Sequence, residues 1–482
     1  MTDELGASGY RPRTDFLELG DAAGAPFYDA VEPASFPAAV LRYRNDPAAK
    51  TVGLAALSDE EWVTHFARFK ALPENLPGPL AVRYHGHQFR TYNPDIGDGR
   101  GFLFAQVEDE RGRLLDLGTK GSGTTPYSRA GDGRLTLKGA VREILATEML
   151  EALGVYTSKT FSVIETGEAL YRGDEPSPTR SAVLVRLGHS HVRFGAFQRL
   201  AFEENAEAIA ELVDYCIARF YPDLAGLPDA EKTPAFFREV IKRTASLASQ
   251  WMAAGFVHGV LNTDNMNVTG ESFDYGPWRF LPDVDFSFTA AYFDHTGLYA
   301  YGRQPDAAAW NLSRLGGALS LVAEPDALNE TLQSFQGAFE AGMAEAFARR
   351  LGVTALGGTD REGFEAAATM LSWLEEARVP FQQVFHDWFG GSASEARAKK
   401  SANAEAYSGE DFMPVRTILT NAAPDRPDRL DHPYFDRPSP PDMLIDEVEA
   451  IWSAIAERED WSVLEAKIAD LRAMGDALGI RR

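Results

Sequence analysis

The sequence predicts an α+β protein of two lobes with a cleft between them. Residues 81–200 are rich in glycine and in short strand-like runs, with one amphipathic helix among them. Residues 201–380 are mainly helical. That order, strands plus one helix and then a helical half, fits two packed lobes, and ligands favour the cleft between such lobes.

Along the chain, residues 1–80 mix short apolar patches with many prolines and show no sustained period. They read as an N-terminal extension packed on the main body. In the next segment GFLFAQVED and GRLLDLGTKG are separated by turn signals, as in an antiparallel meander. From Leu135 the period changes: Leu137, Val141, Ile144, Leu145 and Met149 recur at helical spacing, with Gly154 as the stop. Strand-like runs return at TFSVIET and SAVLVRLG. EAIAELVDYCIARF and FFREVIKRTASLASQWMAAG read as helices, as do residues 305–380. Beyond them, residues 381–482 form a C-terminal extension: a polar stretch, a proline-rich run (PDRPDRLDHPYFDRPSPPD) expected to be extended, and a last helical stretch from MLIDEVEAIW.

Composition narrows the function. Lys+Arg 47 against Asp+Glu 71 gives a net charge of -24, so a polyanionic partner such as DNA or RNA would be repelled overall. A small anionic ligand needs a local cationic pocket. The one cysteine, Cys216, permits no intrachain disulfide and no cysteine-based zinc site, and its helical apolar context makes it a buried thiol. MTDELGASGYRPRTDF lacks the basic start and apolar run of a secretory signal, and no apolar run approaches the roughly 20 residues of a membrane span. A cytoplasmic protein without membrane or nucleic-acid partners is the expectation.

Five segments carry chemistry. In Asp95-Ile96-Gly97-Asp98-Gly99-Arg100-Gly101, glycines let backbone amides approach a phosphate and Arg100 adds charge. Alone, Asp-Gly reads better as a hairpin turn. Lys120 closes a strand-like run, and Glu143 follows 23 residues later on the amphipathic helix. A strand lysine paired with a helix glutamate is the kinase-like device for holding nucleotide phosphates. A second loop, Tyr127 to Arg134 with Asp132 and Gly133, is expected to open that helix, where free amides favour anions; a cap by Asp132 is the plainer alternative.

Arg186 and Arg193, seven apart, flank His189 and His191. Arginine forks clamp polyphosphates, and with no third metal ligand nearby the histidines read as hydrogen-bonding groups. The most specific segment is His258-Gly259-Val260-Leu261-Asn262-Thr263-Asp264-Asn265-Met266, followed by Asp274-Tyr275-Gly276-Pro277. Asn265 and Asp274 are oxygen ligands suited to Mg²⁺, which borrows further ligands from phosphates, and Asp264 can deprotonate a hydroxyl. Two Asx turns are the alternative, outweighed by the lysine–glutamate pair and the glycine loops upstream.

Together these segments resemble the selenoprotein O family of protein adenylyltransferases. The resemblance runs over residues 84–315 through YHGHQFRTYNPDIGDGRG, DLGTKGSGTTPYSRAGDGR, REILATEMLEALGVYT, VLVRLGHSHVRFG, HGVLNTDNMNV, DYGP and QPDAAAWNLSRL. It implies a protein-kinase-like two-lobed fold with a strand-rich N-lobe (81–200), a helical C-lobe (201–380) and the two extensions. It implies ATP bound in flipped orientation and AMP transferred to Ser, Thr or Tyr hydroxyls of client proteins, with pyrophosphate leaving. Under that resemblance Gly97, Gly99, Arg100, Asp132 and Gly133 contact nucleotide. Lys120, Arg186 and Arg193 hold the outer phosphates, and Glu143 positions Lys120. Asn265 and Asp274 bind Mg²⁺, with Mn²⁺ as the alternative metal; Asp274 also meets the nucleotide, and Asp264 is the general base.

The residues agree in direction. No H-R-D precedes the Asp264-Asn265 pair, which disfavours ordinary γ-phosphoryl transfer. The sequence departs from the family at GHQFRTYNP, where Arg90 and Thr91 stand in a stretch that otherwise reads GHQFGGW-like. After about residue 380 the resemblance is expected to fade. The selenocysteine-bearing tail of animal members has no counterpart in the terminal DALGIRR. A conventional kinase, a UMP transferase and an inactive nucleotide-binding scaffold are the competing readings.

Overall fold

The computed structural model describes residues 9–19, 26–173 and 175–480. The first eight residues and the final two, which belong to the segments read above for a signal and a tail, lie outside them. In chain order the strands are β1 (Pro12–Arg13), β2 (Tyr28–Ala30), β3 (Val40–Arg44), β4 (Leu80–Val82), β5 (Gly86–Gln88), β6 (Thr91–Asn93), β7 (Leu103–Glu108), β8 (Leu114–Lys120), β9 (Leu135–Thr136), β10 (Lys159–Leu170), β11 (Thr179–Gly188), β12 (Phe256–Val257) and β13 (Arg279–Phe280). The main sheet runs β2-β4-β7-β8-β11-β10-β3, with β1 on β7 and β9 on β11. Its pairings are antiparallel. Strands from the proline-rich segment before residue 80 therefore belong to the sheet; they are too short to show a period in sequence.

Period-two alternation sorts β8 and β11 onto two faces. Leu115, Leu117, Val183, Val185 and Leu187 enter one hydrophobic core with Trp62, Phe66 and Phe161. The small helices α1 (Asp46–Thr51) and α2 (Asp59–Phe66) cover that face. Helix α2 starts on a Ser58–Glu61 capping box, and Trp62 stacks on Phe161 at 4.9 Å while its Nε1 donates to Ser162 Oγ at 2.8 Å. Leu114, Ala182 and Leu184 face the other way, into the larger core. Gly118, Lys120 and Arg186 lie on that second face, in register: Leu184 opposite Lys120, Arg186 opposite Gly118.

Against this face packs α3 (Leu137–Ala152), whose Leu137, Val141, Ile144, Leu145 and Met149 are buried. Thr136 Oγ1 caps it by accepting from Gly139 N at 3.1 Å. The expectation that the Tyr127–Arg134 loop opens this helix, with Asp132 as the alternative cap, is corrected: β9 intervenes, and Thr136 takes the capping role. The remainder is mostly helical: α4 (Phe194–Phe202), α5 (Ala206–Phe220), α6 (Asp229–Ala254), α7 (Gln304–Leu319), α8 (Pro325–Arg350) and α9 (Asp360–Ala377). Cys216 is fully buried in α5. No described helix is long and apolar enough to cross a membrane.

The C-terminal region adds α10 (Phe381–Asp387), α11 (Glu395–Ala398), α12 (Met413–Asn421), α13 (Ile445–Arg458) and α14 (Ser462–Leu478). Its proline-rich run is not extended as expected. It folds into 3₁₀ turns at Pro427–Arg429 and Pro433–Asp436, because proline suits the first position of a turn as well as it suits an extended chain. Helix α14 is tied back to the front of the molecule. Arg472 donates to Glu148 of α3 (Nε 2.9 Å, Nη2 2.5 Å) and to Tyr43 Oη of β3 (3.1 Å), and Tyr43 Oη donates to Glu148 at 2.7 Å.

Glu148 is 3% exposed. Removing the cation from a buried carboxylate costs more than the pair contributes net, on the order of 3 kcal/mol. Arg472→Met is accordingly expected to lower the urea midpoint sharply, and Glu148→Gln with Arg472→Met to recover part of the loss; equal midpoints for wild type and Arg472→Met would show that the tether carries no stability.

Candidate functional site

The 258–274 loop is fastened before it does anything else. Gln304 Oε1 of α7 accepts from His258 N at 3.0 Å, and the His258 ring Nε2 lies 3.0 Å from Phe273 O. Asn311 Nδ2 donates to Leu261 O at 2.8 Å, and Tyr299 Oη to Asn262 Oδ1 at 2.9 Å. Within it Thr263–Asn265 is a single 3₁₀ turn. The segment after β11 pairs with this loop: Phe194 N donates to Met266 O at 2.9 Å and Val268 N to Val192 O at 3.2 Å. That pairing brings Arg193 beside Asp264, whose carbonyl accepts from Arg193 Nη1 at 3.1 Å.

Asp274 has a positive φ of 62°. Side chains rarely adopt that conformation without a surrounding structure that over-determines it. Here the surroundings are cationic. Lys120 Nζ reaches Asp274 Oδ1 at 2.7 Å and also bonds Glu143, which stands buried behind it on α3. Arg186 Nη1 lies 4.0 Å from the same carboxylate. Burial pushes the Asp274 carboxyl up, but Lys120, Arg186, Arg193 and Arg100 together hold it well below the usual range.

Asp264 goes the other way. Burial lifts its carboxyl to about 6, opposed by Arg193 and reinforced by the nearby Asp274 charge. Its Oδ1 is buried without a hydrogen-bond partner, and so is Nη1 of Arg186. An orphaned anion acceptor and an orphaned cation donor in one place describe a site short of a ligand carrying both a proton to give and a negative charge.

These groups open onto a cleft of about 560 Å³. Its wall includes Gly97, Gly99, Arg100, Lys120, Asp132, Gly133, Arg186, Arg193, Asp264 and Asp274, so ten of the residues singled out in sequence meet in one place. Glu143 stands one layer behind, through Lys120. Asn265 does not line the cleft; its Nδ2 donates to Val260 O at 3.0 Å, which leaves Oδ1 without a protein donor among the described residues. Seven Lys and Arg side chains line the cleft against four aspartates, a cationic island in a chain of net charge -24.

Sequence reasoning missed part of this wall. Asp98 accepts from Arg193 Nη2 at 3.3 Å, and Arg193 lies over the Tyr84 ring at 4.5 Å. Arg172, at the β10–β11 connection, donates to Asp132 at 2.8 Å, an ion pair across 40 residues with no local signal. Arg129 and Arg134 stood in a quoted loop but were not singled out; both line the cleft.

The glycines also answer to packing. A Cβ on Gly97 would stand 2.5 Å from the Tyr127 ring, and one on Gly133, at φ 68°, would run into the Gly123 carbonyl. These positions are glycine because the two loops press on each other and on the chain. Tyr127 Oη in turn bonds Asp29, which also holds Arg83.

The residues present suit a divalent cation that shares its ligands with phosphate. No group of three or more His, Cys, Asp or Glu is placed to hold a metal among the described residues. Asp274 and Asn265 could supply two oxygens, and Mg²⁺ characteristically completes its shell from waters and substrate phosphates.

Comparison with known proteins adds the family. The model of the family described as protein adenylyltransferase SelO matches residues 13–472. A protein nucleotidyltransferase YdiU of Synechocystis is 42% identical over 466 residues, covering 94% of this chain and 97% of its own. The protein of that name from Gloeobacter violaceus is 44% identical over 479 residues, covering 95% and 94%. That from Synechococcus elongatus is 43% identical over 467 residues, covering 94% of each. The expected fading after residue 380 is thus corrected, since the match continues through the C-terminal helices. The chain belongs to the SelO family of protein adenylyltransferases, and it is an enzyme of the nucleotidyltransferase class.

Proposed function

We propose that this enzyme transfers AMP from ATP to Ser, Thr or Tyr hydroxyls of client proteins, releasing pyrophosphate. The observation that carries this reading is the half-buried carboxylate Asp274 bonded by Lys120 with Arg186 at 4.0 Å, and Asp264 beside it in the same cleft with its Oδ1 unpartnered. On this reading the sheet-bearing residues 81–200 act as the N-lobe and the helical residues 201–380 as the C-lobe of a kinase-like fold, flanked by 1–80 and 381–482.

The chain's own groups divide the work. Lys120, Arg186 and Arg193 hold the outer phosphates, and their charge stabilises the pyrophosphate as it leaves. Glu143 fixes Lys120 so that its ammonium is not free to follow the departing group. The loops at Gly97–Arg100 and Asp132–Gly133 hold the rest of the nucleotide, with Arg100 adding charge. The acceptor hydroxyl oxygen attacks the α-phosphorus while the bond from that phosphorus to the bridging oxygen of pyrophosphate breaks. The hydroxyl proton passes to Asp264, whose raised affinity for a proton suits a general base near neutral pH. Asn265 and Asp274 would hold Mg²⁺ or Mn²⁺, which when bound neutralises phosphate charge.

With ATP labelled in turn on the α- and γ-phosphate, protein label is expected from the α-position alone and to vanish in Asp274→Ala; label from the γ-position would restore a kinase. Asp264→Asn is expected to lower kcat by roughly 10²–10⁴-fold with little change in ATP affinity, the scale of lost acid–base catalysis. Because Asp264 Oδ1 is buried and unpaired, Asp264→Ala is expected to stabilise the fold by about 1–3 kcal/mol in urea titration while abolishing transfer. A loss of stability would mean that the carboxylate is satisfied after all.

A further inference from the structure

The β5–β6 hairpin lies directly on the Asn262–Asn265 turn. His87 N donates to Thr263 Oγ1 at 2.7 Å and Phe89 N to Asn262 Oδ1 at 3.0 Å. A Cβ on Gly86 would stand 3.0 Å from Asp264 Oδ1. One end of the hairpin therefore borders Asp264, and the other is a two-residue tip, Phe89-Arg90. Both tip residues have positive φ, 48° and 64°. Such a turn favours glycine or asparagine, and a phenylalanine and an arginine held there are retained against local preference.

The tip side chain has a partner on α7. Arg90 lies over the Trp310 ring at 5.5 Å, and Arg314, one turn further along the helix, lies 5.2 Å from the same ring. His87 meets Trp310 edge-on at 5.2 Å. Both guanidiniums are exposed. Among the described residues neither has a carboxylate partner. Arg314 Nε donates only to Ser313 Oγ at 3.3 Å, and Asp306, one turn before Trp310, pairs with neither. Two neighbouring exposed arginines with no carboxylate at hand keep their charge available to a ligand. Exposed aromatics flank the hairpin on both sides: Phe202, 60% exposed, stacks on Tyr92 at 5.6 Å, and Phe293, 42% exposed, meets Phe89 at 5.7 Å.

We infer that this face docks the acceptor protein, and that its occupant is an extended client segment carrying an acidic residue about three or four positions from the hydroxyl that is modified. The inference rests on the reading of Asp264 as the base. The spacing follows from the hairpin: a strand advances roughly 3.3 Å per residue, so the tip stands about 10 Å from Gly86, and an extended client covers that distance in about three residues. Arg90 and Arg314, held on the Trp310 ring, offer the client a carboxylate site, and Phe202 and Phe293 offer apolar contact on either side. The overall negative charge of the enzyme repels an acidic client at long range, so the preference must be local, and the arginine pair supplies it.

The test uses the full-length enzyme and fluorescein-labelled peptides with one threonine and, three or four residues away, either glutamate or lysine. Binding is read by anisotropy with a non-hydrolysable ATP analogue present, and transfer by α-phosphate label. The glutamate peptide is expected to bind at least tenfold more tightly than the lysine peptide. Arg90→Glu with Arg314→Glu is expected to reverse that order, while analogue affinity stays unchanged. Arg90→Gly, which suits the positive φ of the tip, keeps the fold and tests the loss of one cation alone: it should weaken the glutamate peptide several-fold. Equal binding of the two peptides to the wild type, or a glutamate preference that survives the double charge reversal, overturns the inference. A glutamate preference that obeys the arginines without α-label ever reaching the peptide leaves the docking surface standing and overturns adenylyl transfer instead.

Discussion

The site depends on one half-buried carboxylate. Asp274 holds a backbone conformation that disfavours side chains, and it is kept there by Lys120 and Arg186, which arrive from two adjacent strands. The antiparallel register sets their relation: Lys120 stands opposite Leu184, and Arg186 opposite Gly118. Period-two alternation puts both on one face, and Gly118 leaves room between them for the His191 ring, which a Cβ would strike. Glu143 closes the arrangement from α3. A one-residue slip of β8 against β11 would send Lys120 into the opposite core and dissolve the cluster.

That dependence explains why much of the site was legible in sequence. Lys120 closes a strand-like run and Arg186 interrupts an apolar one, so each charge stands out against its neighbours. Glu143 sits at the right phase of an amphipathic helix, and Asp264, Asn265 and Asp274 share one short polar loop. What depended on distant segments could not be read. The Arg172–Asp132 pair joins the β10–β11 hairpin loop to the β8–β9 connection, and Asp98 meets Arg193 across 95 residues. Neither loop carries a period, and approach in space decides both. Strands β1 to β3 were hidden for another reason: two, three and five residues are too few to show alternation. The glycine loops were located correctly, but their glycines answer to packing against Tyr127 and Gly123 as much as to any phosphate.

Asp264 and Asp274 are two carboxylates set apart by their surroundings. Asp264 is buried and Asp274 half-buried, both near the same arginines. Asp274 receives direct contact from Lys120 and loses its proton far below neutrality, while Asp264, for which burial outweighs the field of Arg193 and its hydrogen bonds, keeps a proton up to about 6. Two acids pushed in opposite directions can take opposite roles, one permanently anionic and able to share a cation with phosphate, the other able to accept a proton. The division comes from the placement of Lys120 rather than from the carboxylates themselves.

The charge balance of the whole molecule completes this logic. A chain of net charge -24 concentrates seven of its cations on one cleft wall. Outside the cleft, the acidic surface opposes polyanions, whose many charges would each meet repulsion. Inside, a compact polyphosphate meets an excess of cations in a partly desolvated space, where each interaction is stronger than at the surface. A ligand small enough to place all its charge within the cleft escapes the field around it, which a long polyanion would meet along its length.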